Sequence, residues 1–210
     1  MYRPPAFAED DPSQLRRIMR EARLATLVTA TEDGLTATSL PLLLAEGEGD
    51  HGVLYGHVAR ANPQWRLPAI GEALALFAGP DAYVSPSWYA AKREHGKVVP
   101  TWNYEAVHAY GPVEFFADEA RVREVVSRLT DLHEGGRPEP WAVTDAPEAF
   151  VEAQLRGIVG LRLPITRIEG KRKLSQNRPQ ADRQGVAEGL QGSERESERR
   201  LAAMIPRDIG

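Results

Sequence analysis

The chain has 210 residues, 42% of them hydrophobic and 27% charged, enough to bury one substantial core in an ordinary soluble composition. It contains no cysteine, which excludes disulfides, thiolate metal sites, iron–sulfur clusters and cysteine nucleophiles and suits a cytoplasmic protein. A net charge of −4 argues against coating nucleic acid by bulk electrostatics, and the chain has neither a signal-peptide core nor an apolar run of about 18 residues.

Asp11-Pro12 predicts a helix start, an N-cap acceptor before a proline at the first helical position. Leu15, Ile18, Met19 and Ala22 follow at helical spacing. Ala25 to Thr31 is rich in β-branched residues and reads as a strand, Asp33-Gly34 as a type I′ hairpin turn, and Leu35 to Leu44 as the returning strand. Ala45 to Asp50 is an acidic surface loop. Val53 to His57 is a short strand, ended by turn chemistry at Arg60-Ala61-Asn62-Pro63. Ala73 to Ala78 is another strand closed by Gly79-Pro80, with Ala82 to Val84 continuing past the turn. Trp102 to Phe116 is a long β segment in which Gly111-Pro112 suits a bulge or an edge. Asp118 to His133 predicts a helix with Val122, Val125, Val126 and Leu129 on one face, and Asp145-Ala146-Pro147 opens another. Ile158 to Ile168 is the final strand, Lys171 to Pro179 is polar and irregular, and two short helical stretches follow. The pattern is α+β: about six strands arranged like a barrel, with peripheral helices.

Three segments are unusual for packing alone. In Leu54 to Pro63 a strand hands over to a turn carrying Arg60 and Asn62. An arginine fork and an amide on a fixed turn suit a phosphate, because a guanidinium donates paired, charge-assisted hydrogen bonds. A solvated arginine beside a turn-forming asparagine fits the same residues. The second segment is Pro86-Ser87-Trp88-Tyr89 with Val99 to Tyr104. Its rings with polar edges can line a slot for a planar heteroaromatic ligand, or equally form a core cluster or a dimer interface. His108 follows on the same strand, where a satisfied, half-buried histidine is the ordinary outcome. The third segment, Lys171 to Arg178, is either a solvated basic loop or a grip in which Ser175, Gln176 and Asn177 hold a polar ring edge or a ribityl chain. A glycine-rich nucleotide loop, a Walker motif, zinc–histidine spacing and a nucleophile elbow are all lacking, so metal hydrolysis and triad chemistry have no support.

Taken together, Tyr55-Gly56-His57 through Asn62-Pro63-Gln64-Trp65, Ser87-Trp88-Tyr89, Pro100 to Tyr104, and Lys173 to Arg178 resemble the PaiB family of FMN-binding negative transcriptional regulators. Met1-Tyr2-Arg3-Pro4 and Gly157-Ile158-Val159-Gly160 also fit, so the resemblance covers nearly the whole chain in order. It implies a split β-barrel of mostly antiparallel strands, and a homodimer with FMN at the subunit interface. Residues 1–168 would form the barrel with its peripheral helices, and residues 169–210 a flavin-contacting loop and helical tail of the same domain. On this resemblance Ser39, His57, Arg60 and Asn62 surround the phosphate end. Trp102 and Asn103 flank the ring, while Lys173, Ser175, Gln176 and Asn177 close over the flavin. One departure is Arg93 to Lys97, which lengthens the stretch between Tyr89 and Pro100 and bears on how that loop sits over the pocket.

The implied function is that of a flavin-binding regulator. The alternative is an FMN-dependent oxidoreductase, of flavin-reductase or pyridoxamine-phosphate-oxidase type, with a nicotinamide donor and His57 or His108 as proton donor. A third reading is a haem-binding split barrel with one of five histidines as axial ligand. No catalytic residue is assigned and no metal site is expected. DNA is a partner without a recognisable binding motif. Thr166 to Gly210 holds ten Lys/Arg against seven Asp/Glu, but Arg195, Arg199 and Arg200 interleave with Glu194, Glu196 and Glu198 as on a solvated helix face.

Overall fold

The first hairpin shows how the chain sets its register. In the computed structural model, which describes residues 1–206, β2 (Ala25–Thr31) alternates fully and partly buried residues. It pairs antiparallel with β3 (Gly34–Leu40), Thr31 opposite Gly34 and Ala25 opposite Leu40. The turn is not type I′, which requires positive φ at both central residues. Those residues are Glu32 and Asp33, and among the described residues Ser175 is the only non-glycine with positive φ. The left-handed position is Gly34 instead, at φ 109°. A type I turn closed by one left-handed glycine gives the same reversal.

The expected strand from Leu35 to Leu44 is two strands. It breaks at Pro41, which has no N–H for a ladder, and β4 (Leu43–Ala45) joins a different sheet. The long β segment from Trp102 divides in the same way, into β7 (Thr101–Gly111) and β8 (Glu114–Phe116). At Gly111 a Cβ would lie 1.9 Å from the Pro164 carbonyl oxygen, so only glycine permits the close approach.

The chain groups into two compact units, each assembled from separated stretches. One holds residues 19–77 and 108–168. In it β2 lies between β3 and the start of β6 (Ala73–Val84), Ala25 opposite Phe77. A second, four-stranded antiparallel sheet has the order β4-β5-β9-β8, with β5 (Val53–Ala59) and β9 (Ile158–Pro164) in register from Val53 opposite Pro164 to Ala59 opposite Ile158. Against it packs a cluster of Phe116, Val122, Val125, Leu129, Val151 and Leu155. Apart from Phe116, which ends β8, the cluster comes from α3 (Glu119–Glu134), capped by the Asp118 carboxylate, and α4 (Glu148–Leu155).

The other unit holds residues 1–18, 78–107 and the chain from Glu169. Here β1 (Ala8–Glu9) pairs with β10 (Arg167–Lys173), Ala8 opposite Lys171, and β10 neighbours β7. Residues 171–173 therefore extend a strand into the stretch expected to be irregular. This unit also carries α1 (Pro12–Glu21), the short α2 (Ala91–Glu94) in the lengthened loop, α5 (Gln180–Gln191) and α6 (Glu196–Met204). Its core gathers Tyr89, Leu174, Val186, Leu190 and Leu201. Trp88 lies directly on α5: a Cβ at Gly185 would meet the Trp88 carbonyl oxygen at 2.0 Å, and one at Gly189 the indole at 2.4 Å. The last four residues of the expected tail, 207–210, lie outside the described residues. The fold is α+β with open antiparallel sheets, the expected split-barrel class, but with ten strands among the described residues rather than about six.

Candidate functional site

Six of the ten expected flavin residues belong to the unit that contains β10, and four to the unit that contains β5. In the first unit the alternation of β7 decides which side chains can act together. Asn103 and Glu105 are buried, whereas Trp102 is 51% exposed and points to the opposite face from Asn103. The Trp102 indole meets the edge of Tyr83, ring centroids 6.2 Å apart, and Tyr83 is itself 47% exposed.

Asn103 and Ser175 form a reciprocal buried pair. The Asn103 amide donates to Ser175 Oγ at 3.0 Å, and the hydroxyl donates back to Asn103 Oδ1 at 3.2 Å. Ser175 adopts φ 61°, a left-handed conformation uncommon for a residue with a Cβ. The turn around it is held by its own side chains. Gln176 Oε1 accepts from the Leu174 N–H at 2.6 Å, and its Nε2 donates to the Arg172 carbonyl at 2.5 Å. Asn177 is exposed at the tip, and the Arg178 guanidinium lies 4.9 Å over the buried Tyr89 ring. Lys173 donates to Thr101 Oγ1. Burial, then the positive charges of Lys171 and Arg178, pushes the Lys173 ammonium below its ordinary range. An anion placed there would relieve that repulsion.

A buried carboxylate that sequence reasoning missed sits beside this set. Glu105, its side chain fully buried, accepts from Arg17 Nη2 at 2.8 Å and Arg172 Nε at 2.5 Å, both on Oε2. Its Oε1 is buried with no hydrogen-bond partner among the described residues. The only signal was its inward position in an alternating strand.

In the second unit the polar groups of the Ala59-to-Trp65 turn are largely engaged by the protein. Arg60 Nε donates to the Arg156 carbonyl at 2.6 Å and Nη2 to the Ile158 carbonyl at 3.1 Å. Asn62 Oδ1 caps the Gln64 N–H at 2.9 Å, while its amide donates to Thr38 Oγ1 at 2.9 Å. Thr38 passes the chain on to Gln64 Oε1 at 2.5 Å. Gln64, fully buried, donates to Thr29 Oγ1 at 3.1 Å and to the Leu27 and Thr36 carbonyls, which ties the turn to β2 and β3. Ser39 is exposed on β3 opposite Thr26. His57 is partly buried on β5; its Nδ1 is buried without a partner among the described residues, and burial pushes its imidazolium below the ordinary range. His108 is accounted for by packing, in edge contact with Tyr110. In the tail Arg195 pairs with Glu198 and Arg199 donates to the Ser193 carbonyl, as on a solvated helix face.

A family described as "Putative FMN-binding domain" matches residues 1–167. The Bacillus subtilis (strain 168) "Protease synthase and sporulation protein PAI 2" is 35% identical over 206 residues, covering 98% of this chain and 96% of its own. Among solved structures, the FAD and heme binding protein from Mycobacterium smegmatis superposes with a TM-score of 0.56 at 19% identity, over 79% of this chain and 73% of that one. The flavocytochrome Anf3 from Azotobacter vinelandii gives 0.55 at 18% identity, over 79% and 68%. Those two likenesses concern the fold alone.

Proposed function

The chain belongs to the FMN-binding, PaiB-type family, and on that premise we propose that it works as a flavin-holding regulator whose FMN is gripped by the β7–β10 residues. The observation that carries this is the buried Asn103–Ser175 pair, held at a left-handed residue beside the cationic group of Lys171, Lys173 and Arg178. Backbone strain of this kind persists where the surroundings over-determine it, commonly at ligand clamps.

The residues fit FMN in donor chemistry. The cations suit a phosphate dianion, the exposed Asn177 amide suits a polar ring edge while Ser175 and Gln176 hold its turn, and the Trp102 indole, on the opposite face of β7 from Asn103, offers its own face to a planar ring bound at the dimer interface. Bound FMN would supply reversible electron uptake at its ring. Lys173 would hold charge, and Asn103 would fix Ser175. In the second unit Ser39 stays exposed, and we assign Arg60 and Asn62 the task of holding the Ala59-to-Trp65 turn. The homodimer with flavin at its interface is part of the same proposal. Its support is the exposed pair Trp102 and Tyr83 on one sheet face, since exposed aromatic patches mark association surfaces.

The test is the near-ultraviolet and visible spectrum of the purified protein with and without added FMN. A protein-retained flavin band that weakens in Asn103→Leu and Asn177→Ala supports the reading. A colourless protein that takes up no FMN, or one with a Soret band instead, overturns it. Anaerobic mixing of the loaded protein with NADH and NADPH then separates regulator from oxidoreductase: an unbleached flavin keeps the regulator, and rapid bleaching replaces it with the enzyme.

A further inference from the structure

The inward side chains of β7 hold β10 and its turn at two points. Asn103 grips Ser175 beyond the end of β10, and Glu105, two residues on and about 7 Å along β7, grips Arg172 within it. Strand alternation puts Gly170 and Arg172 on one face of β10, and Lys171 and Lys173 on the other. On the Gly170 face lies α1, so close that a Cβ on Gly170 would stand 2.1 Å from Leu15 Cδ2. That helix brings Arg17 Nη2 to within 2.8 Å of Glu105 Oε2, the same oxygen that Arg172 Nε reaches at 2.5 Å. Arg172 Nη1 in turn lies 3.3 Å from Glu9 Oε2. The ion network therefore runs along the side of β10 opposite the two lysines.

A buried ion network is weak evidence for stability, because desolvation offsets the attraction. Here the offset is larger still: Glu105 Oε1 is buried with no partner among the described residues, an additional cost. What the network does fix is the place of Arg172. From there the connection to the turn runs through the main chain. Gln176 Nε2 donates to the Arg172 carbonyl, and Gln176 Oε1 accepts from the Leu174 N–H. Any displacement of Arg172 is passed by these bonds to the left-handed Ser175 and the residues after it.

We infer that Glu105 is a positioning residue for flavin binding: acting through Arg172, it sets the strand that presents Lys171 and Lys173 and the turn that presents Asn177. This role rests on the reading that the turn holds FMN. It belongs to a residue whose hydrogen-bond partners among the described residues are two arginines. Charge and position predict opposite signs when Glu105 is neutralised. Removing a negative charge from below the lysines would, by Coulomb attraction alone, tighten the binding of a phosphate dianion. Releasing Arg172 weakens it.

The experiment is FMN titration of the full chain, followed by flavin fluorescence quenching and by the visible circular dichroism of the bound flavin at saturation. Glu105→Gln should raise the FMN Kd about tenfold, the order of loss seen when residues that orient a binding group are removed. Arg172→Lys keeps the charge but loses the planar fork, and should weaken FMN to a similar degree. Arg17→Met removes the other arginine from the same oxygen; it should lower the urea midpoint yet leave the Kd unchanged. The flavin dichroism should differ from wild type in the first two variants and match it in the third, whereas a network that only stabilises the fold would move neither readout in folded protein. Equal or tighter FMN binding in Glu105→Gln, or parallel weakening in all three variants, would overturn the positioning role. A wild type that takes up no FMN overturns the flavin reading and this role with it. Should Glu105→Gln fail to fold, Arg172→Lys set against Arg17→Met decides.

Discussion

Lys173 carries a charge that its neighbours make costly. Burial and the flanking Lys171 and Arg178 push it in the same direction, so a phosphate would gain where the protein alone loses. Lys173→Met is expected to weaken FMN binding about tenfold while leaving the urea midpoint unchanged or raised; flavin fluorescence quenching reads the affinity. Glu105 presents the opposite case, one buried carboxylate between two arginines. Glu105→Gln should lower stability by about 3 kcal/mol, at the lower end for buried pairs because both guanidiniums keep some solvent contact, and denaturant unfolding measures it. His57 gives a pH signature. Its folded-state value lies below 6.5, so the unfolded chain protonates first as pH falls. The stabilisation from keeping the ring neutral is complete above about pH 6.5 and is lost as the pH drops through the folded value. The urea midpoint should therefore fall more in wild type than in His57→Leu on acidification, and parallel falls would refute the assignment. Ser175 stood out in the sequence because three hydrogen-bonding side chains follow one another after a strand, and Asn103 because an amide stands among the rings of Val99 to Tyr104. Glu105 did not, because one strand read alone does not reveal which of its charged residues turns inward to meet an arginine distant in sequence.

At the level of elements, α1 and α3 start where their capping residues put them, and β2 falls where its β-branched run predicted; β5 and β9 start at the expected Val53 and Ile158, but the expected final strand to Ile168 ends at Pro164 and a further strand, β10, begins at Arg167. What escaped were boundaries governed by a partner rather than by local preference. Pro41 and the Gly111-Pro112 step each move the chain from one sheet to another, and each reads in sequence as a mere interruption. The hairpin turn kept its glycine but shifted it by one position, which depends on the register with β3. The seat of Trp88 on α5 was equally hidden, since two glycines four residues apart look like weak points in a helix. Gly185→Ala is expected to destabilise by about 1–3 kcal/mol, because the clash is with main chain that cannot swing aside. Thermal unfolding checks it, and an unchanged midpoint would show that α5 shifts freely.

At the level of the whole molecule, no helix among the described residues is long and apolar enough to cross a membrane. The net charge and the Arg195–Glu198 ion pair at the start of α6 speak against a broad nucleic-acid surface. A direct band shift at low salt should therefore be absent for unselected DNA, and a strong salt-dependent shift would reverse that view. On the proposed homodimer with the exposed aromatic face as its interface, the wild type should sediment as a dimer and Trp102→Glu as a monomer, with the far-ultraviolet spectrum retained.

The interleaving of the two units has a consequence for biosynthesis. The unit with the Asn103–Ser175 pair draws on three stretches, and its core needs Leu174, Val186, Leu190 and Leu201 from the last of them. A ribosome releases that stretch after the other two, so the opening segment must wait, exposed, for its partners. The other unit requires only residues 19–77 and 108–168, and can close earlier. A released chain ending at residue 168 should thus protect α3 and α4 from protease while leaving the residues before Ile18 open to cleavage.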